Sequence, residues 1–231
     1  METTQGGGFA TLTPEALLGP LNDVEQRYAP SKLYVCGPMD IPLPSPRASI
    51  VGSRRASEKG LQTASDIASF LTRNDTIIVS GLAVGIDTAA HTSALREGGR
   101  TIAVIATSLN DSYPSRNAAL QDRIMREHLV ISQFKVGTRL SKKNFVLRNR
   151  TMALISNTTI IVEAKDDSGS LHQGWEALRL GRPLFIWRDV LDDPSVLVPK
   201  DMLNYGAIRL DEPEEILSSL PSNEQFLEIA Q

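Results

Sequence analysis

The segment SKKNFVLRNR, residues 141–150, combines side chains suited to contact with phosphates and bases. It holds four cationic residues, one phenylalanine and no acidic residue, although the chain has a formal net charge of −3. Cations neutralise phosphates, and an aromatic ring beside them offers a face on which any base can stack. The structural alternative is a solvated basic loop in which Phe145 anchors a helix to the core.

Helical spacing would bring these side chains together. A helix that begins near residue 144 places Phe145, Arg148 and Asn149 on one face of its first turns, because residues three and four apart are neighbours. Lys142 and Lys143 then project just ahead of that helix. The sequence therefore predicts a cationic helix start beside an aromatic ring.

The segment VSGLAVGIDTAAH, residues 79–91, is a second candidate. Gly81 and Gly85 permit a tight turn and a close approach of the backbone to a phosphate. Ser80 adds a hydroxyl group, and Asp87 is predicted to cap the following helix. The spacing matches neither the dinucleotide pattern G-x-G-x-x-G nor a P-loop, so it predicts an anion cradle and not an NAD or ATP site. Glycines that only close a short loop are the structural alternative.

Residues 163–177, EAKDDSGSLHQGWEA, form a third polar junction. Ser168, Gly169 and Ser170 offer hydroxyl groups and amides to a second ligand at a helix start. Glu163 and Glu176 could act as general acid and base across a nucleotide, although such carboxylates more often cap a helix or pair on its surface.

The order of the elements places all three junctions at one edge of a sheet. From Ala48 onward, apolar runs of strand length alternate with helical patterns of about 10 to 15 residues. Strands that are apolar on both faces indicate βαβ units, in which strand ends meet helix starts. We therefore predict an α/β protein with an extended Rossmann-like, doubly wound, mainly parallel sheet and a short N-terminal helical appendage.

Three segments are predicted along the chain. Residues 1–46 form an N-terminal helical appendage and linker with a frayed glycine-rich start, residues 47–210 a Rossmann-like domain, and residues 211–231 a C-terminal helix and loose tail. The appendage takes its helices from LTPEALL and LNDVEQRYAP. Its linker is the proline-rich run MDIPLPSPR, which excludes a regular helix.

Composition excludes several classes of function. Cys36 is the only cysteine, and His91, His128 and His172 show no metal-ligand spacing, so we expect no disulfide, metal or cofactor. No run approaches the roughly 20 apolar residues of a membrane helix. The N-terminus also lacks the basic and apolar regions of a signal peptide, so we expect a cytoplasmic protein without a membrane partner.

Several segments in series resemble the DNA-processing protein A family, DprA/Smf. They are IVGSRRAS, IVSGLAVGIDTAAHTSAL, GGRTIAVIATSLNDSYPSRN, NFVLRNRTMALIS and IVEAKDDSGSL. The resemblance implies a non-catalytic protein, usually a homodimer, that binds and protects single-stranded DNA. It further implies a role in DNA uptake and recombination, in which the DNA is passed to the RecA recombinase.

The resemblance also implies which residues form the DNA pocket. They are Arg54, Ser80, Gly81, Gly85, Lys142, Lys143, Phe145, Arg148, Asn149 and Arg150. The arginines and lysines would pair with phosphates, and the glycine amides would bind a phosphate. Phe145 or Asn149 would meet a base or sugar.

Departures from the family pattern leave two further interpretations. The chain has SGSLHQGWEA and FIWRDV where relatives continue with a Thr-Ala pair and a V-P-G turn. One alternative is a DprA-like antitoxin, the partner of a toxin in a phage-defence system. The other is a nucleotide sensor or a phosphoribohydrolase-like enzyme using Glu176, although the P-G-G-x-G-T pattern of such enzymes is absent.

Overall fold

Nine strands form one sheet in the computed structural model, which describes residues 8–221. The strands are β1 (Ala10–Leu12), β2 (Leu33–Cys36), β3 (Arg47–Gly52), β4 (Ile77–Ser80), β5 (Thr101–Ile105), β6 (Leu129–Ser132), β7 (Thr158–Glu163), β8 (Leu184–Trp187) and β9 (Ile208–Leu210). Their order is β1-β2-β6-β5-β4-β3-β7-β8-β9. All neighbours pair in parallel except β1 with β2 and β2 with β6, which are antiparallel.

Helices cover both faces of this sheet. They are α1 (Pro14–Leu18), α2 (Asp23–Tyr28), α3 (Glu58–Arg73), α4 (Ile86–Arg96), α5 (Ala118–Glu127), α6 (Lys142–Ile155), α7 (Gly169–Arg179), α8 (Arg188–Asp192) and α9 (Val198–Leu203). Short 3-10 helices span Ser115–Asn117 and Pro213–Ser219. No helix between residues 8 and 221 combines the length and apolar character needed to cross a membrane.

Alternate residues of the strands point to opposite faces of the sheet, and the buried side chains form three hydrophobic clusters among the described residues. Ile77 and Val79 of β4 pack in the cluster that includes α6 and α7, whereas Ile78 packs against α3 and α4. This alternation follows from the two-residue period of a strand, and apolar residues at every position bury both faces. The predicted α/β, doubly wound and mainly parallel architecture is confirmed.

The N-terminal segment contributes strands as well as its predicted helices. β1 and β2 extend the sheet beyond β6 in antiparallel orientation, with Tyr34 opposite Ser132. The division into three domains stays a prediction. The predicted frayed start and loose tail fall mainly on residues 1–7 and 222–231, which lie outside the described residues.

The starts of α3 and α4 are built differently. Ser57 caps α3 as predicted, since its hydroxyl accepts a hydrogen bond from the Gly60 amide at 3.0 Å. The predicted capping of α4 by Asp87 is wrong. Gly85 occupies that position without a side-chain bond, and Asp87 lies inside the helix, where its carboxylate accepts from the Ala83 amide at 3.2 Å.

Candidate nucleic-acid interface

A cavity of about 130 Å³ opens at the carboxyl ends of β3, β4 and β5. Its walls come from the loops after these three strands, from the segment around residues 113–116 and from the first turns of α6. The lining includes Arg54, Gly81, Tyr113, Arg116, Phe145 and Arg148. Adjacent parallel strands end at the same edge of a sheet, so residues far apart in sequence meet here. We name this feature the Arg54–Phe145 cavity.

An aromatic wall with a stacked arginine forms one side of the cavity. The Arg54 guanidinium lies 4.7 Å from the centroid of the Phe145 ring. Tyr113 is 49% exposed to solvent, and its ring meets that of Phe145 edge to face with centroids 5.7 Å apart. Phe145 is therefore half-buried at the cavity instead of anchoring α6 in the core. Its contact with Arg54 holds a cation over an aromatic face, an arrangement worth about 0.5–1 kcal/mol at exposed sites.

Arg148 lies beneath the cavity and is almost fully buried. Its side chain is 5% exposed, and Nη1 donates to the Val104 carbonyl at 3.2 Å and lies 3.8 Å from Asp87 Oδ2. Burial lowers the pKa of Arg148 and raises the pKa of Asp87, and the attraction between the two groups opposes both changes. This setting differs from the exposed phosphate contact that the sequence predicts for Arg148.

The glycine loop after β4 is fitted around this arginine. A Cβ on Gly81 would collide with the Arg148 guanidinium, and a Cβ on Gly85 would collide with the Ser53 carbonyl. Leu82, a residue without glycine's freedom, has a φ of 57°, and its carbonyl accepts from the Asn117 amide at 2.8 Å. The loop is thus held from several sides, so its backbone amides keep a fixed orientation.

Two exposed cations, Arg54 and Arg116, line the cavity, and two more, Lys142 and Lys143, lie at the start of the helix that carries Phe145. Between residues 8 and 221, no carboxylate lies within 4.0 Å of Arg54, Arg116, Lys142 or Lys143. The two lysines also stand at the start of α6, whose first turn contains no acidic residue. A helix N-terminus favours anions, so two further positive charges there leave the site without its natural counter-charge. An anionic ligand would supply it.

Three of the predicted pocket residues point elsewhere. The Ser80 hydroxyl is buried in the sheet, where it donates to the Ile50 carbonyl at 2.7 Å. The Asn149 side-chain amide donates to the Gly169 carbonyl at 2.9 Å and so ties α6 to α7. Arg150 pairs with Glu176 at 3.0 Å. The helical spacing that groups Asn149 with Phe145 thus does not bring it to the cavity, and Gly85 lines a neighbouring groove instead.

The residues of the predicted second ligand site have internal partners. Glu163, at the end of β7, accepts hydrogen bonds from the Ser57 amide at 3.0 Å and from the Ser57 hydroxyl at 2.6 Å. Ser168 accepts from the Lys165 amide at 2.7 Å. Gly169 and Ser170 begin α7, where the buried Ser170 hydroxyl has no partner among the described residues.

Glu176 lies within an ion cluster on α7. It pairs with Arg150 and also with Arg179 through a short contact. Both carboxylate oxygens of Glu176 are occupied by these guanidinium groups, so the side chain points at arginines on the protein surface and not at a nucleotide. The geometry does not favour the hypothesis of a phosphoribohydrolase-like enzyme.

Sequence reasoning missed Tyr113 and Arg116 as lining residues. Both lie in the loop SYPSRN between β5 and α5, where no helical or strand periodicity assigns a face. The signal was the aromatic and cationic composition of a loop at the same sheet edge as the other candidates.

A Rossmann-like sheet with a cationic, aromatic-lined cavity at its carboxyl edge defines an α/β protein whose site has the charge and shape that suit a phosphate-bearing ligand. The particular family follows from comparison with known proteins. Residues 17–221 match the family model described as DNA recombination-mediator protein A. The chain belongs to this family, as the resemblance to DprA/Smf predicted.

Individual relatives support the assignment. The chain is 43% identical over 164 residues to the DNA processing protein DprA of Streptococcus pneumoniae, covering 71% of this chain and 57% of that protein. It is 34% identical over 200 residues to the Bacillus subtilis protein of the same name, covering 86% of this chain and 67% of that protein. The chain thus spans between half and two thirds of the length of these curated relatives.

A solved structure of the family has the same fold. DNA processing protein A from Helicobacter pylori, described for its single-stranded DNA binding mode, superposes with a TM-score of 0.75 at 27% identity. The match covers 91% of this chain and 94% of that one.

Proposed function

We propose that this chain binds single-stranded DNA without catalysing a reaction on it, and that the Arg54–Phe145 cavity is the principal contact. The observation that carries the proposal is a set of four exposed cations without acidic partners among residues 8–221: Arg54 and Arg116 line the aromatic cavity, and Lys142 and Lys143 begin the helix that carries Phe145. The family membership and the DNA binding described for the Helicobacter pylori relative support it.

Each part of the cavity has a physical role in this proposal. Arg54, Lys142 and Lys143 neutralise phosphates, and Arg116 adds a fourth cation at the rim. Phe145 offers a base the ring surface that Arg54 leaves uncovered, and because every base has a π-face, such stacking tolerates different sequences. Beneath them, Arg148 and the glycines hold the loop in shape, while Asn149 and Arg150 stay predicted contacts that the geometry does not support.

The wider biological role follows the family. We infer a part in DNA uptake and recombination in the cytoplasm, in which a homodimer protects the strand and delivers it to RecA. A toxin partner in phage defence is an alternative that no contact or surface between residues 8 and 221 specifically favours.

Binding can be tested by fluorescence anisotropy with a labelled thymidylate oligomer at several salt concentrations. We expect the logarithm of affinity to fall linearly with the logarithm of salt, with a slope of about −0.7 for each phosphate neutralised. Lys143→Glu should weaken binding at least about tenfold, since it removes an attraction and adds a repulsion. Absence of binding by the wild type at low salt would refute the proposal.

Arg126→Glu provides a matched control. Arg126 is exposed on α5, near the amino ends of the strands, and makes no ion pair among the described residues. The substitution changes the net charge by the same amount as Lys143→Glu but at the opposite edge of the sheet. Equal losses in the two variants would mean that net charge, and not this cavity, determines the affinity.

A further inference from the structure

A second and larger depression adjoins the Arg54–Phe145 cavity. It has a volume of about 360 Å³ and runs between α3 and α4, and Val84 and Arg116 line both features. Its size falls in the range of about 300–1,000 Å³ typical of ligand sites. We name it the α3–α4 groove. Because the two share a wall, a chain-like ligand that leaves the cavity past Arg116 enters this groove.

The lining of the α3–α4 groove suits a nucleic-acid strand. Leu61 and Ala89 provide an apolar floor, hydroxyl groups come from Ser65, Thr88 and Thr92, and none of the lining residues is acidic. Apolar surface beside hydroxyls can accept a base and a sugar, and the lack of carboxylates avoids repulsion of phosphates.

Cations stand at both ends of the groove. Arg116, at the cavity end, has no carboxylate partner within the described chain. At the far end, Arg96 is 64% exposed and lies 3.8 Å from Glu97. Glu97 also pairs with Arg73 at 3.3 Å, so two guanidinium groups share one carboxylate. The far end therefore carries a net positive charge.

The groove is longer than a single nucleotide. The rise of 1.5 Å per helical residue places Arg96 about 16 Å along α4 from Gly85. Stacked nucleotides of one strand are about 3.4 Å apart, so this length accommodates several of them.

We propose that single-stranded nucleic acid continues from the Arg54–Phe145 cavity across Arg116 into the α3–α4 groove, where Arg96 contacts its backbone. This inference rests on the proposed function and adds the path that the strand follows across the surface. It predicts that a long oligomer gains affinity over a short one through contacts along α4.

The test measures the affinity ratio between thymidylate oligomers of about four and about twelve nucleotides. Thr92 is exposed in the middle of the groove, so Thr92→Glu adds a charge there without changing the cavity. We expect Thr92→Glu to leave the short oligomer unaffected and to weaken the long one about fivefold, the effect of one unit-charge repulsion at about 4 Å in water. Thr92→Lys should strengthen binding of the long oligomer.

Val24→Glu is the matched control, because Val24 is exposed on α2, a helix that packs on the other side of the sheet. An unchanged length gain in Thr92→Glu, or an equal loss in Thr92→Glu and Thr92→Lys, would overturn the inference. If a Thr92→Glu variant with an unchanged length gain also lost binding to RecA, the groove would be a surface for docking a protein and not for binding the strand. If the wild type binds neither oligomer, the proposed function fails and this inference fails with it.

Discussion

At the residue scale, the packing of Arg148 against Gly81 requires a glycine at position 81. The buried guanidinium fills the position in which any other residue at 81 would carry its Cβ. Asp87 and the Val104 carbonyl compensate part of this charge, while the buried Nε has no hydrogen-bond partner among the described residues. The shape of the loop under the proposed phosphate site therefore depends on this fit.

Gly81→Ala tests that fit. We expect the free energy of unfolding to fall by about 1–3 kcal/mol, because a methyl group is forced into a closely packed site. Urea denaturation measures the change. Gly169→Ala is the control, since a Cβ there meets nothing within 4 Å and the φ is not positive. This second change should raise stability by about 0.4–1 kcal/mol, and a Gly81→Ala variant as stable as the wild type would contradict the account.

His91 is a buried titratable residue on α4. Its Nδ1 lies 2.7 Å from the Thr101 hydroxyl, which donates to the Ile78 carbonyl at 2.8 Å. Burial lowers the pKa of His91 from 6.5 to about 3. Between pH 6.5 and about 3, His91 therefore binds a proton in the unfolded chain but not in the folded chain. The free energy of unfolding consequently decreases as the pH falls below 6.5.

Replacing His91 should flatten this pH dependence. For the wild type we expect His91 to contribute a loss of about 1.4 kcal/mol per pH unit below its ordinary pKa. His91→Asn removes the titration, so its unfolding free energy, measured with urea from neutral to mildly acidic pH, should fall less steeply. The lowered pKa of His128 also decreases the unfolding free energy as the pH falls, whereas the raised pKa of Asp87 increases it. Both effects are the same in the wild type and in His91→Asn. Identical slopes would exclude His91 as the cause.

At the element scale, α6 is held by contacts with the end of β5 and with α7. Its Phe145 side lines the cavity, and the Asn144 amide at its start donates to the Ala106 carbonyl at 3.1 Å, which fixes the helix to the end of β5. Asn149 ties the same helix to the start of α7. The placement of the cationic turn thus depends on contacts with two other elements.

Two variants of α6 should separate these roles. Phe145→Ala should weaken DNA binding by about 1–3 kcal/mol, the usual value of a stacked base. Asn149→Ala should leave binding nearly unchanged but lower the unfolding free energy by about 0.5–1.5 kcal/mol, because the hydrogen bond that ties α6 to the Gly169 carbonyl is lost. Anisotropy and urea denaturation report the two quantities. A loss of affinity without a loss of stability in Asn149→Ala would restore Asn149 as a DNA contact.

The sequence predicted the elements of this region better than their orientation. Apolar runs of strand length identified the parallel sheet, and Ser57 identified the start of α3, because both signals are local in the sequence. Spacing on α6 grouped Phe145 with Arg148 and Asn149, but it could not tell which side of the helix packs against the sheet. Arg148 is buried and Asn149 reaches α7, since tertiary contacts decide both. The strands β1 and β2 escaped prediction because they are only three and four residues long, too short to show a strand pattern.

At the scale of the whole molecule, exposed apolar side chains concentrate near α9 and β9. Among the described residues, Leu197, Leu203, Tyr205 and Ile208 are four of the nine large hydrophobic residues exposed to solvent. Tyr205 is 69% exposed and packs its edge against Trp175, with ring centroids 5.2 Å apart. Such a patch marks a surface suited to association, and we expect the proposed homodimer to use it.

Tyr205→Glu should shift the protein toward the monomer. A carboxylate in an apolar interface loses its hydration without gaining a partner, which opposes association. Light scattering after size-exclusion chromatography, over a range of protein concentrations, measures the molar mass. Val24→Glu changes an exposed apolar residue on α2 and should leave the mass unchanged. A wild type that is monomeric at every concentration would contradict the dimer itself.

The two outermost strands of the sheet, β1 and β9, are only three residues long. Short edge strands present few unpaired backbone groups to another chain, which protects a sheet from edge-to-edge aggregation. A second copy that docks near β9 should accordingly associate through side chains and not by continuing the sheet. The same brevity keeps a wide, nine-stranded sheet from growing into fibrils at the high local concentrations that a shared DNA strand would create.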